Sequence, residues 1–202
     1  MSAAIVYKYR GNLYINLTNR CTNACSFCIK RKWEWKYRGK NLRLKREPTP
    51  AEVIKAIGDP KKYPEIVFCG YGEPTLRLDV LKEVAAWIKS KGGKVRLNTT
   101  GLASLRYSRN VALELKGLVD AVSISLNAGN SKDYQRVQRP RFGPRSYRAV
   151  LAFIRECKKF IPEVTITCIP LPNLDISKCP VIAKKLGVLY RERPYLSAYE
   201  IK

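Results

Sequence analysis

Six short apolar stretches rich in β-branched residues recur along the 202-residue chain, with helical patterns spaced between them. They are 13–17 (LYINL), 65–69 (EIVFC), 94–98 (KVRLN), 120–127 (DAVSISLN), 163–169 (EVTITCI) and 188–192 (VLYRE), and their length and composition predict strands. The clearest helix lies over 78–93, where Val80, Leu81, Val84, Ala85 and Ile88 repeat at three and four and Gly92-Gly93 stands at the stop. Further helices are predicted over 49–58, opened by Thr49-Pro50, and over 109–117, 145–160 and 176–187, the last trimmed to start near Pro180. Strand and helix taking turns require crossovers, which are right-handed and leave the strands parallel. Eight such units make a closed barrel of about 250 residues. Six units in 202 residues therefore predict an incomplete barrel or a doubly wound sheet, as a single α/β domain over 1–202. In either case the working face lies at the carboxyl ends of the strands.

Composition narrows the chemistry. The chain has no histidine, which removes Ser-His and Cys-His nucleophiles, Cys2His2 zinc and facial-triad iron together. Seven cysteines remain, an odd number that argues against a disulfide framework and toward metal or reactive thiols. No apolar run approaches a membrane span, and the opening MSAAIVYKYRGN has no signal-peptide core, so a cytoplasmic location is expected. Lys and Arg number 39 against 16 Asp and Glu, a net +23 that draws in polyanions and makes nucleic acid the leading partner class, with a lysine-rich solvated surface as the plain alternative.

The first strand runs into NLTNRCTNACSFCIK, which places Cys21, Cys25 and Cys28 in one loop as C-x3-C-x2-C. A closed structural zinc site wants four ligands, and neither a His nor a nearby Cys supplies the fourth. Three thiolates suit a four-iron, four-sulfur cluster with one iron left open, a zinc loop or incidental thiols being the alternatives. Here the chain resembles the radical SAM superfamily, whose signature is this spacing with an aromatic before the third cysteine, as Phe27 stands. The resemblance implies the incomplete (β/α)6 TIM-like barrel, a [4Fe–4S] cluster on the three cysteines and S-adenosylmethionine (SAM) on the open iron. It further implies reductive cleavage of SAM to a 5′-deoxyadenosyl radical that abstracts hydrogen from a substrate, and an electron donor such as a ferredoxin or flavodoxin.

After the second strand, CGYGEPT (69–75) resembles the family's glycine-rich Gly-Gly-Glu-Pro segment, with Gly72, Glu73 and Pro74 matching it and Tyr71 in place of the first Gly. By that resemblance the segment holds the amino group of SAM; on chemistry alone, glycines admit close approach and a carboxylate complements an ammonium. Strand three ends at Asn98, and strand four carries Ser123, Ser125 and Asn127 at alternate positions. Polar residues at that period in an apolar strand need partners, which the resemblance supplies as the ribose and carboxylate of SAM and a hydrogen-bonded layer inside the barrel supplies equally. Arg191 and Arg193 alternate at the end of strand six, for adenine, a substrate anion or solvent. Cys69, Cys157, Cys168 and Cys179 stand singly and read as buried small hydrophobes, with Cys69 and Cys168 at the ends of strands two and five, where facing the site is the alternative.

FCGYGEPT, SISLNA, the 135–143 segment and RERPY resemble the compact TatD-associated radical SAM proteins, for which no substrate is implied. No residues remain for an auxiliary cluster domain. The stretch 29–47 interleaves Trp33, Trp35 and Tyr37 with nine basic residues, and 135–148 adds a second basic run on the same face, a composition suited to RNA bases and phosphates or to an excursion packed on the barrel. The functional expectation is a radical SAM enzyme acting on a large anionic substrate such as RNA. Its competitors are an activase that makes a glycyl radical in a partner protein and a non-catalytic cluster- and SAM-binding protein of nucleic acid.

Overall fold

The computed structural model describes residues 3–195. Its main sheet has seven strands: β1 (Val6–Tyr9), β2 (Asn12–Ile15), β5 (Ile66–Phe68), β6 (Val95–Thr99), β7 (Ala121–Ser125), β8 (Glu163–Cys168) and β9 (Leu189–Glu192), in that spatial order. From β2 to β9 every pairing is parallel, so the six expected strands form the six-stranded parallel wall of an incomplete TIM-like barrel. Two hairpins lie outside the expectation. β1 pairs antiparallel with β2, and β3 (Lys36–Tyr37) pairs with β4 (Lys40–Asn41) in a separate ribbon.

The helices are α1 (Ile29–Lys32), α2 (Pro50–Ile57), α3 (Leu78–Ser90), α4 (Ala103–Tyr107), α5 (Val111–Glu114), α6 (Ser131–Gln138), α7 (Arg145–Phe160) and α8 (Lys178–Leu186). The helix expected over 109–117 is a single turn, α5, with α4 before it. α2 begins with a full capping box, in which Thr49 Oγ1 accepts from the Glu52 amide and Glu52 accepts from the Thr49 amide. Pro180 falls in the first turn of α8, where a missing N–H is harmless, so that helix starts at Lys178.

The pleat divides each strand between two environments. Leu13, Ile15, Ile66, Phe68, Val95, Leu97, Val122, Ile124, Val164 and Ile166 turn toward Leu81, Val84, Ile88, Val150 and Phe153 of α3 and α7 and form the core. The other face looks into the barrel, and register stacks its residues in layers: Asn98, Ser123, Thr165 and Leu189 in one, Ser125, Thr167 and Arg191 in the next toward the carboxyl ends. Below them the Arg96 guanidinium pairs with Glu65 at 2.7 Å and Glu163 at 2.9 Å and seals the amino-terminal end with charge. No helix of the described residues is long and apolar enough to cross a membrane.

Candidate active site at the carboxyl ends of the strands

Cys21, Cys25 and Cys28 follow β2 in a half-buried loop, and α1 starts at the residue after Cys28. Three backbone ties hold this loop to the segment after α6: Ala24 N to Arg139 O at 3.1 Å, Ser26 N to Val137 O at 2.9 Å and Arg141 N to Thr22 O at 2.8 Å. Behind it lies Gln138, buried at the end of α6. Its Oε1 accepts from the Cys25 thiol at 2.8 Å, and its Nε2 donates to the Ser125 carbonyl at 3.0 Å. Burial, reinforced by the Glu73 charge, pushes the Cys21 thiol up to about 11, and burial raises Cys25 further, so a metal must displace protons to bind here. Among the described residues no three His, Cys, Asp or Glu side chains converge on the position of a single ion. A four-iron cluster carries its thiolates on separate irons, so a wider triangle suits it than the roughly 3.8 Å sulfur spacing of a tetrahedral zinc.

The glycine-rich segment is threaded into the same loop. A Cβ on Gly72 would stand 2.2 Å from the Thr18 carbonyl oxygen and 2.6 Å from that of Arg20, and one on Gly70 would stand 2.2 Å from Asn16 Oδ1. Glycine is required at Gly72 because backbone passes backbone and at Gly70 because the buried Asn16 side chain fills the space, and the Glu73 amide then donates to Arg20 O at 2.8 Å. The Glu73 carboxylate, 2% exposed, is heavily engaged: Oε1 accepts from Thr75 N (3.1 Å), Thr75 Oγ1 (2.7 Å) and Thr99 Oγ1 (2.7 Å), and Oε2 from Thr100 N (2.7 Å). Oε2 keeps acceptor capacity for one more donor. Pro74 is buried as the first residue of a 3-10 turn and supports the segment from behind.

The remaining expected residues divide. Arg193 reaches inward: its Nη2 donates to Ser125 Oγ at 3.2 Å, its amide to Cys168 O at 2.8 Å, and burial lowers its pKa. Its buried Nε has no hydrogen-bond partner and no carboxylate pairs with it among the described residues. Asn98 faces the same space beside the Cys69 thiol, and its Oδ1 is orphaned, as is Thr100 Oγ1. Asn127 and Ser123 are spoken for by the protein. Asn127, at φ 54°, accepts from Ile169 N at 3.0 Å and joins the ends of β7 and β8; Ser123 Oγ accepts from Arg96 at 3.4 Å. Phe27 is half-buried in the cysteine loop and Arg191 lies exposed on the rim. Cys69 points inward, whereas Cys168 is the buried small hydrophobe of the main reading and sits in the helix-side core with Cys179 of α8.

The aromatics of 29–47 follow the packed-excursion alternative of the sequence reading. Trp33 is 4% exposed and stacks on Tyr37 at 5.9 Å, and Tyr37 meets Tyr7 and Tyr9 edge-on at 5.8 Å. Trp35 lies edge-on to Tyr71 at 6.2 Å with Lys30 and Arg43 over its ring. The excursion is a folded cap on the barrel, and Trp33 is not displayed for base stacking. Sequence reasoning missed Thr99, Thr100 and Gln138. Gln138 lies inside the 135–143 segment that the sequence singles out, but nothing local to it signals a partner on a distant loop.

Residues 15–186 match the model of the radical SAM superfamily, and the chain belongs to that superfamily. A tungsten-containing aldehyde ferredoxin oxidoreductase cofactor-modifying protein of Pyrococcus furiosus is 32% identical over 95 residues, which are 44% of this chain and 23% of that one. Among solved structures, Streptococcus suis SuiB bound to its precursor peptide SuiA superposes with a TM-score of 0.71 at 13% identity, over 94% of this chain and 40% of that one. TYW1 with a lysine-pyruvate adduct bound gives 0.62 at 16% identity, over 94% and 66%. The chain thus spans under a quarter of the curated relative and at most about two thirds of these two structures. At such identities the structures speak for the shared fold, a partial TIM barrel.

Proposed function

We propose that the chain is a radical SAM enzyme in which Cys21, Cys25 and Cys28 hold a [4Fe–4S] cluster and the inner face beside them holds SAM. The observation that carries this is the interlock of the two loops. The thiol-bearing loop and the Gly70–Glu73 segment fit only as one unit, which puts a carboxylate with a free lone pair beside three cysteines. When bound, cluster and SAM supply an adenosyl radical able to take hydrogen from an unreactive carbon. Glu73 Oε2 orients the ammonium of SAM, and Arg193, a half-buried cation without a counter-ion among the described residues, offers its buried Nε to a carboxylate. Asn98 and Thr100 supply the remaining unpaired polar atoms, and the Arg96 ion pairs close the far end against water. The shared segments support a place beside the compact TatD-associated group, and the charge supports a large anionic substrate, RNA foremost.

Anaerobic reconstitution tests this. The protein should take up close to four irons and show an EPR signal that changes when SAM is added. Replacing Cys21, Cys25 or Cys28 by Ala should abolish both. Tight zinc with no iron uptake would overturn the assignment.

A further inference from the structure

Two groups stand out among the arginines of this chain. Arg20, Arg46, Arg77, Arg96, Arg109 and Arg136 each pair with a carboxylate within 4 Å. Arg139, Arg141, Arg145, Arg148 and Arg155 are all exposed, and their guanidinium groups take part in no ion pair or side-chain hydrogen bond among the described residues. These five are successive among the arginines of the chain.

Arg139 closes α6 in the left-handed conformation, φ 44°, where glycine would be unstrained. Arg141 follows on the loop bonded to Thr22. Arg145, Arg148 and Arg155 then ride α7, where helical spacing puts them within about 80° of one another around the axis and spreads them over about 15 Å along it. That face is opposite the buried Tyr147, Val150, Ile154 and Cys157. Ala149 and Ala152 floor a shallow groove between Arg148 and Arg155. The first turn of α7 has no acidic residue, so its cations oppose the helix dipole and gain when an anion sits over them.

We infer that this arginine track binds the phosphodiester backbone of a nucleic acid and leads it to the cysteine loop. The groove between Arg148 and Arg155 is lined by Ala149, Leu151 and Ala152 and by no aromatic side chain, whereas a protein interface centre is rich in aromatics; strongly cationic surfaces of guanidinium groups suit phosphates. The backbone ties from Arg139 and Arg141 to Ala24 and Thr22 fix the start of the track against the loop that carries Cys21 and Cys25. The inference moves the nucleic-acid surface from the aromatic cap, where Trp33 is buried, to α7. As a delivery surface for substrate it rests on the radical reading; as a binding surface it stands without it.

The test measures binding of a short fluorescein-labelled mixed-sequence RNA single strand to the cluster-loaded full chain by anisotropy across a salt series. Replacing Arg145, Arg148 and Arg155 together by Gln should reduce the slope of log affinity against log salt by about 2 and weaken binding at least about tenfold at low salt, since each phosphate contact contributes about 0.7 to the slope. Lys184→Gln with Lys185→Gln, on exposed positions of α8, should leave the slope unchanged. The inference is overturned if the lysine pair lowers the slope as much, if the arginine variant binds like the parent, or if polyglutamate binds as tightly as RNA, which would give the track to an acidic protein. Thermal unfolding confirms that the variants fold. Iron content and the SAM-induced EPR change, read on the same samples, should match the parent, so a loss there is a failure of the radical reading and not of the track.

Discussion

Glu73→Gln separates what the glycine-rich segment does for the fold from what it does for its ligand. The substitution keeps the shape of the side chain. Three of the four bonds to the carboxylate converge on Oε1, so the amide oxygen must take that position to accept from Thr75 N, Thr75 Oγ1 and Thr99 Oγ1. The amide nitrogen is then forced to face Thr100 N, 2.7 Å from where Oε2 stood, and a donor meets a donor. One charge-assisted bond is lost and a backbone N–H is left unpaired, for about 1.5–3 kcal/mol. In a chain of this size that lowers Tm by roughly 3–12 °C. The open lone pair goes with Oε2, so SAM affinity should fall about tenfold or more, 1.4 kcal/mol being a factor of ten. Glu73→Ala strips all four donors of their acceptor and should cost more in stability than Gln. Differential scanning fluorimetry of the cluster-free protein gives the first number and equilibrium dialysis of SAM with loaded protein gives the second. A Gln variant that melts with the parent would refute the four-donor cradle, and unchanged SAM affinity would move the ammonium to another residue.

Two further outcomes follow from particular contacts. Gly72→Ala has no space for its methyl against two carbonyl oxygens, so it should lose iron binding and melt well below the parent, as read by iron content and calorimetry. The Arg46 guanidinium and the Thr49 amide hold the Glu52 carboxyl down to about 2, below its unfolded value, so its contribution is complete above that unfolded value and disappears as pH falls toward 2. The Tm difference between the parent and Glu52→Gln should therefore be constant near neutrality and vanish in acid.

Much of the barrel can be read from the chain because its strands are buried and parallel, which writes them as apolar runs such as EVTITCI, and because Gly92-Gly93 and Thr49-Pro50 mark helix ends chemically. Both hairpins escaped. Each turns on an Arg-Gly pair with positive φ at both residues, Arg10-Gly11 and Arg38-Gly39, where the usual signal is Asn-Gly or Asp-Gly. Alternation placed Ser123, Ser125 and Asn127 on strand four but could not say which were free. Arg96 comes from one layer below to take Ser123, and the αL backbone turns Asn127 onto Ile169, both through contacts distant in sequence. The directions of Cys69 and Cys168 stayed open for a simpler reason: at a strand end one residue changes which face it occupies, and register is not written locally.

Among the described residues the sheet has two edges, β1 and β9, that do not meet. A closed ring of strands admits only what passes its mouth, so a long polymer would have to offer an end or a looped-out unit. A wall with a missing side imposes no such topology.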